Sequence, residues 1–157
     1  MPDTHPEGVL MKKVLIAIVV LLIAAYATAI FFPNDPVERS PGTRLSGDLA
    51  PVQDTEWAFF EGRRQLYLET KTLYLVPHSI TVSGWVTDKI LYVGCRSCDG
   101  KYWPKNVARD NRVRLKIDEE IYLRSAVRLD DMQRRTVLNI PQEEELPDFA
   151  VFRMDPR

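Results

Sequence analysis

The sequence predicts a mainly β protein: a small antiparallel β-barrel with short helices in its connections, preceded by one N-terminal transmembrane helix. Three observations carry that prediction. Val14 to Phe32 is a run of 19 residues without a charge, and the 124 residues from Asn34 onward are far more mixed. Much of that remainder alternates apolar and polar residues with the period of a strand. The whole chain has 157 residues, with 21 basic and 22 acidic side chains and 45% hydrophobic content. This composition excludes disorder, collagen-like repeats and a disulfide-dense scaffold. Beyond the apolar run, 19 Lys and Arg stand against 20 Asp and Glu. Nucleic acid is therefore not expected as a partner, because phosphate binding rests on a sustained excess of cations.

The chain opens with an expected cytoplasmic tail, residues 1–13. Residues 14–32 follow as a transmembrane helix acting as a signal anchor. At about 1.5 Å per residue such a run reaches roughly 28 Å, close to the hydrocarbon thickness of a bilayer. Lys12 and Lys13 precede it, whereas Arg39 is the nearest cation on the other flank. The positive-inside bias then leaves the N-terminus in the cytoplasm and the rest of the chain beyond the inner membrane, in the periplasm. A cleaved signal peptide is the alternative, since Ala27-Thr28-Ala29 forms a small-x-small cleavage pattern. Ile30-Phe31-Phe32 favours the anchor, because it extends the run to spanning length. Both readings export the domain. A buried core helix is disfavoured by the length of the run and its lack of a polar face.

Residues 33–55 hold Pro33, Pro36, Pro41 and Pro51 with Gly42 and Gly47, show no period, and read as a linker lifting the domain off the bilayer. The barrel domain is expected over 56–157. Gln65 to Thr70, Ser79 to Thr87 and Ile90 to Val93 read as strands, the last two joined by a tight turn at Asp88-Lys89 that lacks the usual Gly. Arg112 to Ile117 alternates strictly, with Val113, Leu115 and Ile117 on one face. After the turn at Asp118-Glu119-Glu120, Ile121 to Leu129 returns as its antiparallel partner, with Arg124 and Arg128 expected outward. Pro104 to Arg109 and Asp131 to Leu138 read as short helices, the second capped by Asp130 or Asp131. Ile140 to Asp148, with two prolines and three consecutive glutamates, is a loop, and Phe149 to Met154 is the last strand.

Four segments carry a resemblance: Leu91-Tyr92-Val93, Tyr102 to Val107, Asp110 to Leu115, and Ser125-Ala126-Val127-Arg128, closed by Phe152 to Arg157. Together they resemble the FMN-binding split β-barrel of the pyridoxamine phosphate oxidase superfamily, and within it the branch of deazaflavin-dependent nitroreductases. The resemblance covers about residues 56–157. It implies a split β-barrel, a homodimer with a cofactor cleft at its interface, FMN or a deazaflavin-type flavin analogue as cofactor, and a small organic acceptor such as a quinone or nitro compound. Where the deazaflavin enzymes carry a Gly-Arg-x-Ser-Gly loop, this chain reads Gly94-Cys95-Arg96-Ser97-Cys98-Asp99-Gly100-Lys101.

Arg96, Ser97 and Lys101 lie in that Gly-flanked loop after a strand, a setting suited to an anion and, by the resemblance, to the cofactor phosphate. The plain alternative is a solvated turn. Ser79 and Thr81 share one strand face, opposite His78 and Ile80, and the resemblance lets their hydroxyls meet the polar edge of a flavin-like ring. His78 reads either as a ligand contact or as a structural histidine. It and His5 are the only histidines, so a multi-His metal centre is excluded. Trp103 and Asn106 stand three apart on a short helix and share a face. Trp103 fits the core or rim better than ring stacking, and Asn106 fits a role in capping or in bridging strands.

Cys95 and Cys98 offer a local disulfide clip, an exchange pair, or free thiols. The antiparallel setting favours the clip over thioredoxin-like catalysis. The cations Arg112, Arg114, Lys116, Arg124 and Arg128 read as a solvated hairpin face rather than a polyanion site, given the carboxylates around them. Three functions follow: a cofactor-dependent oxidoreductase, a non-enzymatic envelope interaction or sensor domain that has lost the cofactor, and a thiol-disulfide protein.

Overall fold

Alternating side chains make a strand two-faced, and six strands whose apolar faces must all be covered do so here by closing on themselves. The computed structural model describes residues 6–51, 57, 59, 60, 62 and 64–157. Residues 1–5 of the expected tail, and 52–56 where the expected linker meets the expected barrel domain, lie outside these. The elements run α1 (Pro6–Phe31), β1 (Asp48–Leu49), β2 (Arg64–Lys71), β3 (Pro77–Thr87), β4 (Ile90–Arg96), a 3₁₀ turn (Cys98–Gly100), α2 (Tyr102–Arg109), β5 (Arg112–Ile117), β6 (Glu120–Arg128), α3 (Asp131–Leu138) and β7 (Phe149–Pro156).

The helix α1 begins before the apolar run, with Pro6 in its first turn, where a missing amide proton costs nothing. Its stretch from Gly8 to Phe31 is long and apolar enough to cross a membrane, and none of that apolar stretch is buried within the protein. It is not a core helix.

The sheet order β6-β5-β2-β3-β4-β7 closes because β7 pairs back onto β6. All barrel pairings are antiparallel. The strand β6 is divided between two neighbours: Glu120 and Ile121 take β1 in parallel, and Arg124 to Arg128 take β7. The β3–β4 turn places Asp88 and Lys89 at φ 51° and 65°. Both are left-handed, the geometry a two-residue hairpin needs, and Asp tolerates it with little strain. Leu68, Leu91, Val93, Val113, Leu115, Phe152 and Met154 fill the interior. A second cluster outside it, Tyr92, Leu129 and Val151 with Trp85 and Phe149, is covered by Val137 and Leu138 of α3. That helix carries a capping box, with Asp130 accepting from the Gln133 amide and the Gln133 side chain accepting from the Asp130 amide.

Two expectations are corrected. Residues 33–51 are not a spacer; they lie along the barrel as a strap. The Asp35 carboxylate accepts from the Ser46 amide at 2.8 Å, from the Ser46 hydroxyl at 2.5 Å and from Lys116 Nζ at 2.8 Å. Leu45 is buried beside it, and its amide donates to Glu69 at 2.8 Å. Gly42 exchanges backbone hydrogen bonds with Ser79, and a Cβ there would stand 2.0 Å from the Asn34 carbonyl oxygen, so only glycine fits.

The second correction concerns the basic hairpin face. Arg124 is paired with Val113, whose side chain is in the core, so it points inward and is 1% exposed. Its guanidinium lies 4.8 Å from the centre of the Trp57 ring and 5.7 Å from that of Tyr122, and Nη1 donates to the Leu123 carbonyl. On the outer face, Arg114 pairs with Glu69 at 2.8 Å and Lys116 with Asp35, both beneath the strap, so these two cations are ion-paired rather than solvated, while Arg112 stays exposed.

The anchor has a definite pH signature. Burial raises the Asp35 carboxyl, but hydrogen bonds from Lys116 and Ser46 outweigh it and hold it below its ordinary 3.8. Burial lowers Lys116, and its bonds to Asp35 and Glu119 outweigh that and raise it above 10.5. The carboxylate's contribution is complete above its unfolded pKa and fades as pH falls through the lower folded value; the ammonium's is complete below 10.5 and fades as pH rises through the higher one. Protection of the Ser46 amide against hydrogen exchange is therefore level from about pH 4 to about pH 10 and declines on both flanks. Asp35→Asn, leaving Lys116 with only the exposed Glu119 carboxylate, lowers that protection by about 1–3 kcal/mol at neutral pH.

Candidate functional site

Ile80 and Val82 of β3 face the core, so alternation turns Thr81 and Ser83 onto the outer surface. There they form the floor of a cleft of about 780 Å³, within the roughly 300–1,000 Å³ range of small-molecule sites. One wall is the strap, from Glu38 to Pro41. The other is Gly94 and Arg96 of β4, the end of the 3₁₀ turn, the start of α2 from Lys101 to Trp103, and Phe149 of β7.

Thr81 is the most telling residue in the floor. Its Oγ1 is buried and has no hydrogen-bond partner. An unsatisfied buried hydroxyl costs roughly 1–3 kcal/mol, so this group is poised for a partner from outside the chain. Arg39, Arg96 and Lys101, all exposed, give the rim three cations against the single carboxylate of Glu38. Lys101 is also the N-cap of α2 and makes no side-chain cap. His78, half-buried at the beginning of β3, lines one end of the cleft. Burial pushes its imidazole below 6.5. It is neutral at neutral pH, able to donate through one ring nitrogen and accept through the other.

The apolar wall is held by ring packing. Phe149 stacks on Trp85 with centroids 6.2 Å apart, and Trp85 stacks on Tyr92 at 5.9 Å. The Phe149 ring lies directly over Gly94, where a Cβ would come 2.2 Å from its Cζ.

Five of the sequence-derived site residues meet at the cleft: His78, Thr81, Arg96, Lys101 and Trp103. Trp103 is nevertheless a core residue, 3% exposed and packed on Phe152 at 4.6 Å. Three others stand apart. Ser79 shares the Thr81 face as alternation requires, but Gly42 covers it and its buried hydroxyl is also without a partner. Ser97 is an exposed left-handed residue at φ 48°. Asn106 is buried and structural: its Nδ2 donates to Thr70 Oγ1 at 3.0 Å and its Oδ1 accepts from Arg109 at 3.2 Å, tying α2 to β2. Gln65, Ser83, Phe149 and the strap residues were not foreseen in the cleft.

Cys95 and Cys98 form a disulfide with a Cα–Cα distance of 5.5 Å, and both residues are buried. The bridge closes the loop that carries Arg96 and thereby restricts how far that cation can leave the rim. Among the described residues there is no group of three or more side chains arranged to hold a metal ion.

No family model and no curated protein matches the chain. Among solved structures it is similar to a protein of unknown function from Agrobacterium tumefaciens, with 12% identity and a TM-score of 0.47 over 59% of this chain. The chain spans about half the length of that protein, 48% of it. It is also similar to a pyridoxamine 5'-phosphate oxidase-like protein from Listeria innocua, at 19% identity and TM-score 0.45, covering 59% of this chain and 83% of that one. General stress protein 26 from Bacillus anthracis gives 16% identity and TM-score 0.45, with 62% and 82% covered. The chain's own closed six-stranded barrel defines its class: a mainly β barrel protein with an N-terminal helix long and apolar enough to span a membrane.

Gly94→Ala is expected to destabilise the protein by about 1–3 kcal/mol in thermal unfolding, because the Phe149 ring must leave its seat. In a Phe149→Ala background the same change becomes neutral or stabilising, since alanine is the better strand residue once the ring is gone. An equal penalty in both backgrounds contradicts this packing.

Proposed function

We propose that the chain is a membrane-anchored, periplasm-facing split-barrel protein whose cleft binds FMN or a deazaflavin-type analogue and passes hydride or electrons to a small organic acceptor. The observation that carries the reading is the unpartnered Thr81 hydroxyl in the floor of a cleft whose rim bears Arg39, Arg96 and Lys101. A flat, polar-edged ring with an anionic tail is the kind of ligand those groups suit together. When bound, such a group supplies a reversible two-electron carrier.

The chain's own residues then have distinct tasks. Thr81 Oγ1 bonds the polar edge of the ring, and Phe149 with Gly94 gives that ring an apolar wall. Arg96 and Lys101 neutralise the anionic tail through charge-assisted hydrogen bonds. Neutral His78 orients a polar atom of cofactor or acceptor without imposing a fixed charge. The cleft is open on its outer side, and a second copy of the chain in a homodimer would close it. The buried disulfide speaks against thiol-disulfide exchange, since attack on either sulfur requires access. It suits an oxidising compartment, in keeping with an exported barrel.

The test is titration of FMN and of a deazaflavin into the full-length protein in mild detergent, followed by the change in cofactor fluorescence. Arg96→Ala with Lys101→Ala should weaken binding about 10- to 100-fold. Thr81→Val should weaken it several-fold while leaving the melting temperature unchanged or raised, because an unsatisfied hydroxyl is removed. Cys98→Ser should leave binding largely intact. If neither cofactor binds the unaltered protein, the oxidoreductase reading is sunk and a non-enzymatic envelope interaction or sensor domain is the better account.

A further inference from the structure

The tip of the β2–β3 hairpin is built against the usual rules of a soluble surface. Its loop is closed by the Thr72 amide donating to the Val76 carbonyl at 3.0 Å and the Leu75 amide donating to the Thr72 carbonyl at 3.1 Å. Between them three consecutive apolar or aromatic residues face outward: Leu73 at 67% exposure, Tyr74 at 75% and Leu75 at 63%. Runs of this kind are avoided on water-facing surfaces unless they serve contact. Leu75 also sits at φ 63°, a left-handed position where Gly or Asn would be unstrained. Leucine is kept there against its backbone preference, which favours a use for its side chain.

One contact fixes where this tip lies. Tyr26 of α1 donates its hydroxyl to the Tyr74 carbonyl at 2.7 Å. Tyr26 is six residues before Phe32, the end of the apolar run, so at about 1.5 Å per residue it stands roughly 9 Å inside that end. The tip therefore lies at the depth of the helix's last turns, not beyond them. Phe31 and Phe32, 70% and 68% exposed, stand about a turn and a half nearer the end of the apolar run. A loop carbonyl at that depth has little water to bond, and the Tyr26 hydroxyl supplies what the solvent cannot. At the base of the hairpin, exposed Lys71 lies beside Arg109, whose Nη2 donates to the Lys71 carbonyl at 2.6 Å. These two cations stand where lipid phosphates would meet them.

We propose that Leu73-Tyr74-Leu75 is a second membrane contact, seated in the headgroup and acyl boundary of the same leaflet from which α1 emerges, so that the barrel is held in one orientation against the bilayer rather than tethered beside it. The proposal rests on the reading of α1 as a membrane span, and its occupant is a phospholipid bilayer. The consequence for the cleft is direct. His78 follows Leu75 by three residues, at most about 11 Å of extended chain, so the cleft opens close to the lipid surface and within reach of an acceptor dissolved in it.

The test uses full-length protein in phosphatidylcholine–phosphatidylglycerol vesicles, with an environment-sensitive nitrobenzoxadiazole probe on one introduced cysteine at a time. The sites are Leu73→Cys at the tip, Asp88→Cys on the exposed β3–β4 turn, and Leu21→Cys in α1; the native cysteines are bridged and buried. Lipids with a nitroxide near the headgroup serve as quencher for the Leu73 and Asp88 probes, and lipids with a nitroxide deep in the acyl chain serve for the Leu21 probe. The Leu73 probe should emit to the blue of the Asp88 probe and be quenched at least about twofold more strongly. A Leu73 probe that matches the Asp88 probe, while the Leu21 probe is quenched, overturns the tip contact and leaves the membrane span standing. A Leu21 probe that is not quenched removes the span, and the tip contact falls with it.

Discussion

The Asp35 carboxylate is the tie on which the rest of the arrangement depends. It gathers the Ser46 amide, the Ser46 hydroxyl and Lys116 Nζ, and so fastens a segment next to α1 onto β5. Once that tie is made, Leu45 is buried, Gly42 closes over Ser79, and Asp48–Leu49 joins β6 as an extra parallel strand. The same segment supplies the wall of the cleft from Glu38 to Pro41. Without the tie the barrel would remain closed, since β6 and β7 pair independently of it. The cleft would lose one side, and the helix would lose its fixed approach to the barrel.

The charges on the barrel show how context decides what a cation does. Lys116, Arg114 and Arg124 lie within eleven positions on two paired strands. Lys116 and Arg114 face outward, beneath the strap, where carboxylates from Asp35 and Glu69 compensate the loss of water. Arg124 faces inward, where the rings of Trp57 and Tyr122 take its guanidinium face. Arginine tolerates that site because its planar, weakly hydrated head stacks on aromatic faces, which a lysine ammonium does less well. Close by, burial and the hydrogen bond to Glu120 push the Tyr122 hydroxyl up to about 12, so this ring stays neutral beside the cation at any physiological pH.

Strands and short helices were largely legible because their signals are local. Arg112 to Ile117 and Asp131 to Leu138 coincide with β5 and α3, since strict alternation and a capping aspartate act within a few residues. The strap was not legible. Its proline content mimics a linker, while what holds it is a contact between positions 35 and 116 that no local window contains. Arg124 was misjudged because alternation counts arginine as polar, whereas its register opposite Val113 puts it inside. In the site, the residue types expected to meet a ligand were read on β3, β4 and the start of α2. Glu38 to Pro41 and Phe149 were missed, being brought there only by the strap and by the closure of β4 on β7.

These features constrain one another in a way that bears on function. The disulfide loop holds Arg96 at one rim of the cleft, and the strap holds Arg39 at the other. One restraint is covalent and the other ionic, so the two walls differ in how easily they yield. Cys95 and Cys98 keep the Arg96 wall fixed for as long as the bridge is oxidised. The strap wall is held by the Asp35 tie together with the Leu45–Glu69 hydrogen bond and the Gly42–Ser79 backbone pair, and that pair also covers the buried Ser79 hydroxyl. A ligand entering from the strap side would therefore meet a noncovalently held wall next to α1 and a covalently clipped wall opposite. That asymmetry makes the strap side the more yielding approach to Thr81.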